Sequence, residues 1–156
     1  MEMMDHGRIS YNFRQICIQI ERLTNRILEE QGLTAVQAHV LQYILCHAKQ
    51  GTSLTEIHRD FGCSMATLSC VVKRLKEKGY VHTQSCTGDD RCKLLFPTDK
   101  GRQAQVCLDD TMHAIHRQVY GCLSQEDLAA LSHLQQKLLQ NLLIALENTQ
   151  KEVPKS

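Results

Sequence analysis

Small, hydroxylated and basic side chains share one side of a predicted helix between residues 64 and 75. Its apolar stripe of Leu68, Val71 or Val72, and Leu75 predicts a buried face, so the opposite face points outward. Small residues let a backbone approach a groove floor, hydroxyls hydrogen-bond to bases or phosphates, and cations and a helix N-terminus attract anions. An ordinary solvated helix face is the alternative. The candidate DNA-contacting residues on this helix are Ser64, Met65, Ala66, Thr67, Ser69, Lys73 and Arg74.

A β-hairpin follows this helix at short distance and supports the DNA interpretation. Strand candidates at residues 80–85 and 92–96 flank the polar run T-G-D-D-R. An arginine on a thin hairpin can enter the minor groove, where the negative potential is enhanced, so Arg91 is a candidate contact. Asp89 could hold its guanidinium in a forked pair. A solvated surface pair of little energetic value is the alternative for these two residues.

The surrounding elements predict a mainly α fold with a small β-wing. Apolar residues from Ile9 to Ile27 alternate at spacings of three and four, which predicts a long first helix that ends at Gly32 and packs on a partner helix. Capping signals at Thr34, Ser53 and Ser64 start three further helices before the hairpin, and two helices follow Thr98. We expect a winged helix-turn-helix at residues 33–101. Both termini, residues 1–32 and 102–150, then form a helical dimerisation region within one compact chain.

Three runs of sequence make the chain similar to the MarR family of transcriptional regulators. They are L-T-A-V-Q-A-H-V-L-Q-Y-I, S-M-A-T-L-S-C-V-V-K-R-L-K-E-K-G-Y-V and D-D-R-C-K-L-L-F-P-T-D-K-G-R. The resemblance implies a winged-helix homodimer that binds a pseudo-palindromic operator in double-stranded DNA. It also implies a repressor released by a small-molecule effector, a metal or an oxidant. Pro97 departs from the Leu that the family usually has, and because Pro lacks an N–H we expect altered pairing there.

The resemblance carries functional roles to individual positions of this chain. It implies that Arg91 contacts DNA from the wing with Asp89 in support. Separately, a pocket between the dimer helices and the winged domain, near Cys17, His39 and Tyr43, is the default expectation for a small-ligand site. Some members sense peroxide through a cysteine in the first helix, but the apolar neighbours of Cys17 favour a small core residue. On the recognition helix it implies DNA roles for Ser64, Ala66, Thr67, Ser69, Lys73 and Arg74.

Composition is compatible with this interpretation. The chain has 156 residues, a 42% hydrophobic share and a net charge of +1. Residues 54–102 hold nine Lys and Arg against six Asp and Glu, a local charge of +3 that suits a polyanionic partner. We see no bilayer-length apolar run and no signal peptide, so we expect a cytoplasmic protein that binds no membrane.

The eight cysteines suggest a second class of function, a thiol- or metal-handling sensor. They are scattered without a C-x-x-C motif, so free thiols are expected in a reducing compartment. Cys86 and Cys92 flank the wing tip and could form a disulfide, or share a soft metal with Cys63 or Cys70. Oxidation of Cys70 could block DNA binding. The redox candidates are therefore Cys70, Cys86 and Cys92, with passenger thiols as the alternative.

Enzymatic chemistry is not indicated. No Ser/His/Asp grouping or Gly-rich phosphate loop is recognisable. His113 and His116 lie three residues apart, but no further ligand completes a metal set. We expect neither a catalytic site nor a resident metal or cofactor. A winged helix used only for protein contacts is a third possibility.

Overall fold

The fold is mainly helical with one two-stranded antiparallel wing, which confirms the predicted fold class. The computed structural model describes residues 5–86 and 89–151, except for the side chains of residues 89–91 and 151. The elements are α1 (His6–Leu28), α2 (Ala35–Cys46), α3 (Leu54–Phe61), α4 (Met65–Glu77), β1 (Val81–Cys86), β2 (Asp89–Pro97), α5 (Asp99–Tyr120) and α6 (Gln125–Lys151), with a 3-10 turn at Glu29–Gln31 after α1.

The chain divides into two compact units, residues 1–115 and 116–156. The first unit contains α1 to α4, the wing and most of α5. The second contains the end of α5 and all of α6. The separation of a DNA-binding region at 33–101 from a dimerisation region at 1–32 and 102–150 stays a prediction.

Side-chain caps begin the helices where the sequence indicates. Thr34 and Ser53 each form a full capping box, with Gln37 and Glu56 as their reciprocal partners. Ser64 accepts a hydrogen bond from the backbone N–H at the start of α4. Ser124 caps the start of α6. These caps satisfy N–H groups that a helix leaves without an internal partner, which fixes the starting residue of each element.

The core of the first unit surrounds α2. Leu41 and Ile44 of α2 are fully buried, as are Ile57 of α3 and Leu68 of α4. Two polar links hold the long helices to α2: the Asn25 side chain accepts from the Ala35 N–H at 2.7 Å, and Gln42 donates to Asp109 at 2.9 Å. The two short helices before the wing therefore stand on a framework built from α1, α2 and α5.

Pro97 ends the wing without loss of a ladder hydrogen bond. It lies opposite Val81, and the next bond is donated by the Thr98 N–H to the Tyr80 carbonyl at 3.0 Å. Leu95, two residues earlier, directs its N–H and carbonyl to Thr52 on the other side of β2. Because alternate residues of a strand point their N–H groups to opposite sides, position 97 needs no donor toward β1. The altered pairing expected at Pro97 is not seen, since Pro97 keeps the regular register of the ladder.

The first half of α1 is exposed on the single chain. Its apolar seam is buried only toward the end, where Leu28 is fully enclosed, whereas Ile16 is 54% exposed. Cys17 is exposed too, so the expectation that it is a small core residue is wrong for this chain. The exposure of Ile16 shows that the seam side of α1 is open to solvent at this point in the described residues. Ile9, Tyr11, Phe13 and Ile16 are the large exposed apolar residues of this half.

Candidate nucleic-acid interface

The orientation of α4 agrees with its sequence pattern. Leu68, Val72 and Leu75 are buried, and Val71 is half-buried. The outer face therefore carries small and hydroxylated side chains near the helix N-terminus, and basic side chains follow one to two turns later. All seven candidate residues on α4 and its cap are exposed: Ser64, Met65, Ala66, Thr67, Ser69, Lys73 and Arg74.

The N-terminus of α4 is held in a defined conformation. The Ser64 hydroxyl accepts from the Thr67 N–H at 3.1 Å and donates to the Thr67 Oγ1 at 2.8 Å. Gly62 ends α3 with a φ of +68°, a left-handed conformation that favours glycine. The His58 ring Nδ1 lies 2.5 Å from the Cys63 carbonyl in the same turn. The partial positive charge of this helix N-terminus therefore faces outward from a fixed position.

Lysines provide the available positive charge on α4. Arg74 is paired with Glu77 at 3.1 Å, and the side chains are 60% and 47% exposed, so the pair is weak and can exchange for another anion. Lys73 is exposed and forms no ion pair with any residue that the structure describes. Lys73 is thus the best placed of the two cations for a phosphate.

Two further lysines were not singled out from the sequence. Lys76 of α4 and Lys93 of β2 both line a cavity of about 520 Å³ between α3, α4 and the wing. The spacing of Lys76, three residues after Lys73 on the same helix, was a usable signal. The sequence gives no comparable indication for Lys93, because the side of the wing on which Lys93 lies depends on the register of the hairpin.

The wing tip carries a covalent link between its strands. Cys86 of β1 and Cys92 of β2 form a disulfide with a Cα–Cα distance of 5.3 Å, one of the alternatives considered for this pair. Cys63 and Cys70, the other thiols considered for a shared metal, are free. The side chains of Asp89 and Arg91 lie outside the described residues, so their forked pair and minor-groove contact stay predictions.

The candidate ligand residues do not all come together. His39 and Tyr43 line an open cavity of about 350 Å³ bounded by α2, α3 and α5, whereas Cys17 lies on α1 and is not part of its described lining. The Tyr43 hydroxyl donates to the Asp60 carboxylate at 2.5 Å, and its ring stacks on His47 at 4.2 Å. Hydrogen bonding to Asp60 raises the pKa of Tyr43. Hydrogen bonds from Tyr43 and then Arg59 lower the pKa of Asp60.

Metal-binding clusters and membrane-spanning helices are both absent from the described part of the chain. No group of three or more His, Cys, Asp or Glu side chains there is arranged to hold a metal ion. No helix among the same residues combines the length and apolar character needed to cross a bilayer.

The fold and the exposed face of α4 define a winged helix protein. Residues 33–93 match the family model described as MarR family. This region spans α2, α3, α4 and most of the wing, which are the elements that position the candidate interface. This part of the chain is therefore similar to the MarR family.

Solved structures with the same fold include DNA complexes. The MepR–DNA complex of S. aureus is 22% identical, with a TM-score of 0.79 over 85% of this chain and 96% of that chain. A MarR family transcriptional regulator from Listeria monocytogenes, complexed with a 26mer DNA, is 20% identical, with a TM-score of 0.80 over 99% of each chain. A mutant MarR from E. coli, complexed with operator DNA, is 23% identical, with a TM-score of 0.77 over 85% and 94%. At these identities the likeness shows the fold.

Proposed function

We propose that this protein is a homodimeric, sequence-specific DNA-binding transcriptional regulator, a repressor relieved by a small ligand or an oxidant. The observation that carries the proposal is the outer face of α4, where exposed small, hydroxylated and basic residues lie beside a β-wing. The similarity of residues 33–93 to the MarR family and the DNA complexes of similar structures support it. The partner is therefore double-stranded DNA and not a membrane, and we expect no enzymatic activity.

DNA recognition follows from the chemistry of the exposed residues. The N-terminal turns of α4 enter the major groove, where Ser69 and Thr67 hydroxyls reach base edges or phosphates and Ala66 permits close approach. Lys73 binds a phosphate as a point charge. Arg91 on the wing enters the adjacent minor groove, with Asp89 orienting its guanidinium. Two copies then read half-sites separated by about one helical turn, so the operator is pseudo-palindromic.

Regulation acts through sites close to this interface. A small effector in the cavity at His39 and Tyr43 contacts α2 and α3, the helices that support α4. Occupation of that cavity shifts the position of α4 relative to its partner copy, and the protein leaves DNA because the two recognition helices no longer match the half-site spacing.

The test compares binding to the DNA upstream of the protein's own gene with binding to random DNA of equal length. Lys73→Ala should weaken binding to both and reduce the salt slope by about 1, because one phosphate contact is lost. Ser69→Ala should change the preference between sequences more than the salt slope. Lys49→Ala, an exposed lysine outside α4 and the wing, is the matched control.

Fluorescence anisotropy titrations between 50 and about 200 mM salt measure the affinity for each DNA and the slope of that affinity with salt. Equal affinity of the wild-type protein for upstream and random DNA would falsify the proposal. If wild type, Lys73→Ala and Lys49→Ala had equal salt slopes, Lys73 of α4 would not be part of the DNA interface.

A further inference from the structure

One side chain ties the end of α4 to the junction between α1 and α2. Lys78, the C-cap residue of α4, donates from its ammonium to the Gly32 carbonyl and to the Gln37 side-chain oxygen, the latter at 2.8 Å. These partners lie 46 and 41 residues away in sequence. Lys78 is half-buried and forms no ion pair with any residue that the structure describes. Its side chain therefore joins distant elements of the fold.

The two acceptors belong to the end of one helix and the start of the next. Gly32 follows the 3-10 turn after α1, where carbonyl groups have no partner within the helix. Gln37 is 9% exposed, and its side-chain oxygen also accepts from the Thr34 N–H in the capping box that starts α2. Loss of the Lys78 ammonium would therefore remove a donor from both sides of this junction.

The same junction is also fixed to α5. Gln31, next to Gly32, donates from its side chain to the Thr111 hydroxyl of α5 at 2.7 Å. That hydroxyl donates to the Cys107 carbonyl at 2.8 Å. Both α1 and this part of α5 lie in the predicted dimerisation region. Polar contacts therefore run from that region, through the α1–α2 junction and Lys78, to the end of the candidate recognition helix.

The anchored end of α4 controls where its opposite end lies. The helix has 13 residues and is about 20 Å long, and Lys78 lies at the end opposite Ser64. A tilt of about 10° at the Lys78 end would move the other end by about 3 Å, close to the rise of about 3.4 Å per base pair. The apolar packing of the buried face is non-directional, whereas hydrogen bonds are directional. The contacts of Lys78 therefore favour one tilt of α4.

We propose that Lys78 is a positioning residue that sets the distance between the two recognition helices of the dimer, and thereby the half-site spacing that the protein accepts. This inference rests on the proposed DNA-binding function. Lys78 acts through α4, because its ammonium is directed to neutral oxygens of Gly32 and Gln37 and not to a phosphate. Its contribution to operator affinity should therefore lack the salt dependence of a phosphate contact.

The test uses the full chain and three duplexes from the footprinted DNA upstream of its own gene. They are the operator, the operator with one base pair inserted between its half-sites, and a single half-site. Anisotropy titrations between about 50 and 200 mM salt give the affinity for each duplex and its salt slope.

Three variants separate the role of the ammonium from other effects. Lys78→Met removes the ammonium but keeps an unbranched side chain and the main-chain carbonyl, which accepts from Lys100 at 2.6 Å. Lys78→Arg keeps enough donors for both acceptors. Lys49→Met makes the same substitution at an exposed lysine outside α4 and the wing, and is the matched control.

Wild type should bind the operator more tightly than the lengthened operator. In Lys78→Met the ratio of these two affinities should fall by about 2- to 30-fold, the range for residues that couple two sites. The affinity for the single half-site and the salt slope should stay those of wild type. Lys78→Arg should restore the ratio, and Lys49→Met should leave it unchanged.

Several outcomes would overturn the role of Lys78. They are a wild-type protein indifferent to spacing, an unchanged ratio in Lys78→Met, and a lowered ratio that Lys78→Arg does not restore. An equal loss on the single half-site would show that Lys78 only maintains the fold, and a salt slope lower by about 1 would make it a phosphate contact. If wild type does not distinguish the operator from random DNA, the regulator proposal itself fails. A sharp spacing preference that Lys78→Met shares contradicts only the role of Lys78.

Discussion

At the scale of single residues, Glu56 connects the first short helix of the winged domain to the wing. Its carboxylate accepts from the Ser53 N–H at 2.8 Å and from the Thr52 hydroxyl at 3.0 Å. Thr52 is fully buried and exchanges two backbone hydrogen bonds with Leu95 of β2. The charge of Glu56 therefore supports both the start of α3 and the β2 strand next to it.

This arrangement predicts a pH dependence of stability. Hydrogen bonds from the Ser53 backbone and then from Thr52 lower the pKa of Glu56 below its ordinary value of 4.5. A lowered folded-state pKa means that the contribution to stability is present above about 4.5 and is lost as the pH falls through the lower folded value. We expect Glu56→Gln to be less stable than wild type at neutral pH, and the difference to shrink below pH 4.5.

Urea unfolding at a series of pH values measures this difference. Glu126→Gln is the control, since Glu126 is an exposed carboxylate near the start of α6. A constant difference between wild type and Glu56→Gln across the acidic range would show that the charge of Glu56 has no such role.

At the scale of elements, the junction of the wing and α5 depends on a close backbone approach at Gly101. The Thr98 hydroxyl donates to the Gly79 carbonyl at 2.5 Å and accepts from the Gly101 N–H at 3.1 Å. A Cβ atom at Gly101 would lie 2.4 Å from the Tyr80 carbonyl oxygen, a backbone atom that cannot rotate away. The end of α4, the start of β1 and the start of α5 therefore meet at one point.

Gly101→Ala should move α5 away from this junction and lower the free energy of unfolding by roughly 1–3 kcal/mol, the usual range for overpacking. Gln103→Ala, two residues later on an exposed side of α5, should stay within about 0.5 kcal/mol of wild type. Chemical denaturation of both variants makes the comparison. Equal stability of the two variants would mean that the junction relaxes without cost.

These elements also show what the sequence can and cannot predict. Capping boxes and buried stripes are local signals, so the starts of α2, α3 and α4 and the inward face of α4 followed from the sequence. The bulge beyond Ser85 depends on pairing between strands, so neither the hairpin register nor the bond of Cys86 to Cys92 was determined. The exposure of Cys17 was missed because an apolar seam does not reveal whether its partner belongs to the same chain. The residues around Tyr43 come from α2, α3 and α5, and no sequence spacing brings them together.

At the scale of the whole molecule, the extent of exposed apolar surface on α6 predicts that one chain is half of the functional unit. The helix has 27 residues, and seven of its large apolar side chains are exposed in the single chain. Leu138 is 47% exposed and Leu142 is 55% exposed, one turn apart. Exposed apolar area on this scale is typical of protein interfaces. The exposed apolar residues of α6 are Leu134, Leu138, Leu139, Leu142, Leu143, Ile144 and Leu146.

We therefore expect the double variant Leu138→Lys, Leu142→Lys to be monomeric in sedimentation equilibrium, because two charges would be buried at the interface. Gln140→Lys adds a charge to the same helix at a polar position and should remain dimeric. Two linked half-site contacts bind far more tightly than one, so the monomer should lose about 10²-fold or more in affinity for a two-half-site operator. Its affinity for a single half-site should change little, since the winged domain does not include α6. A double lysine variant that sediments as a dimer would place the interface elsewhere, and a monomer with unchanged operator affinity would contradict recognition by paired half-sites.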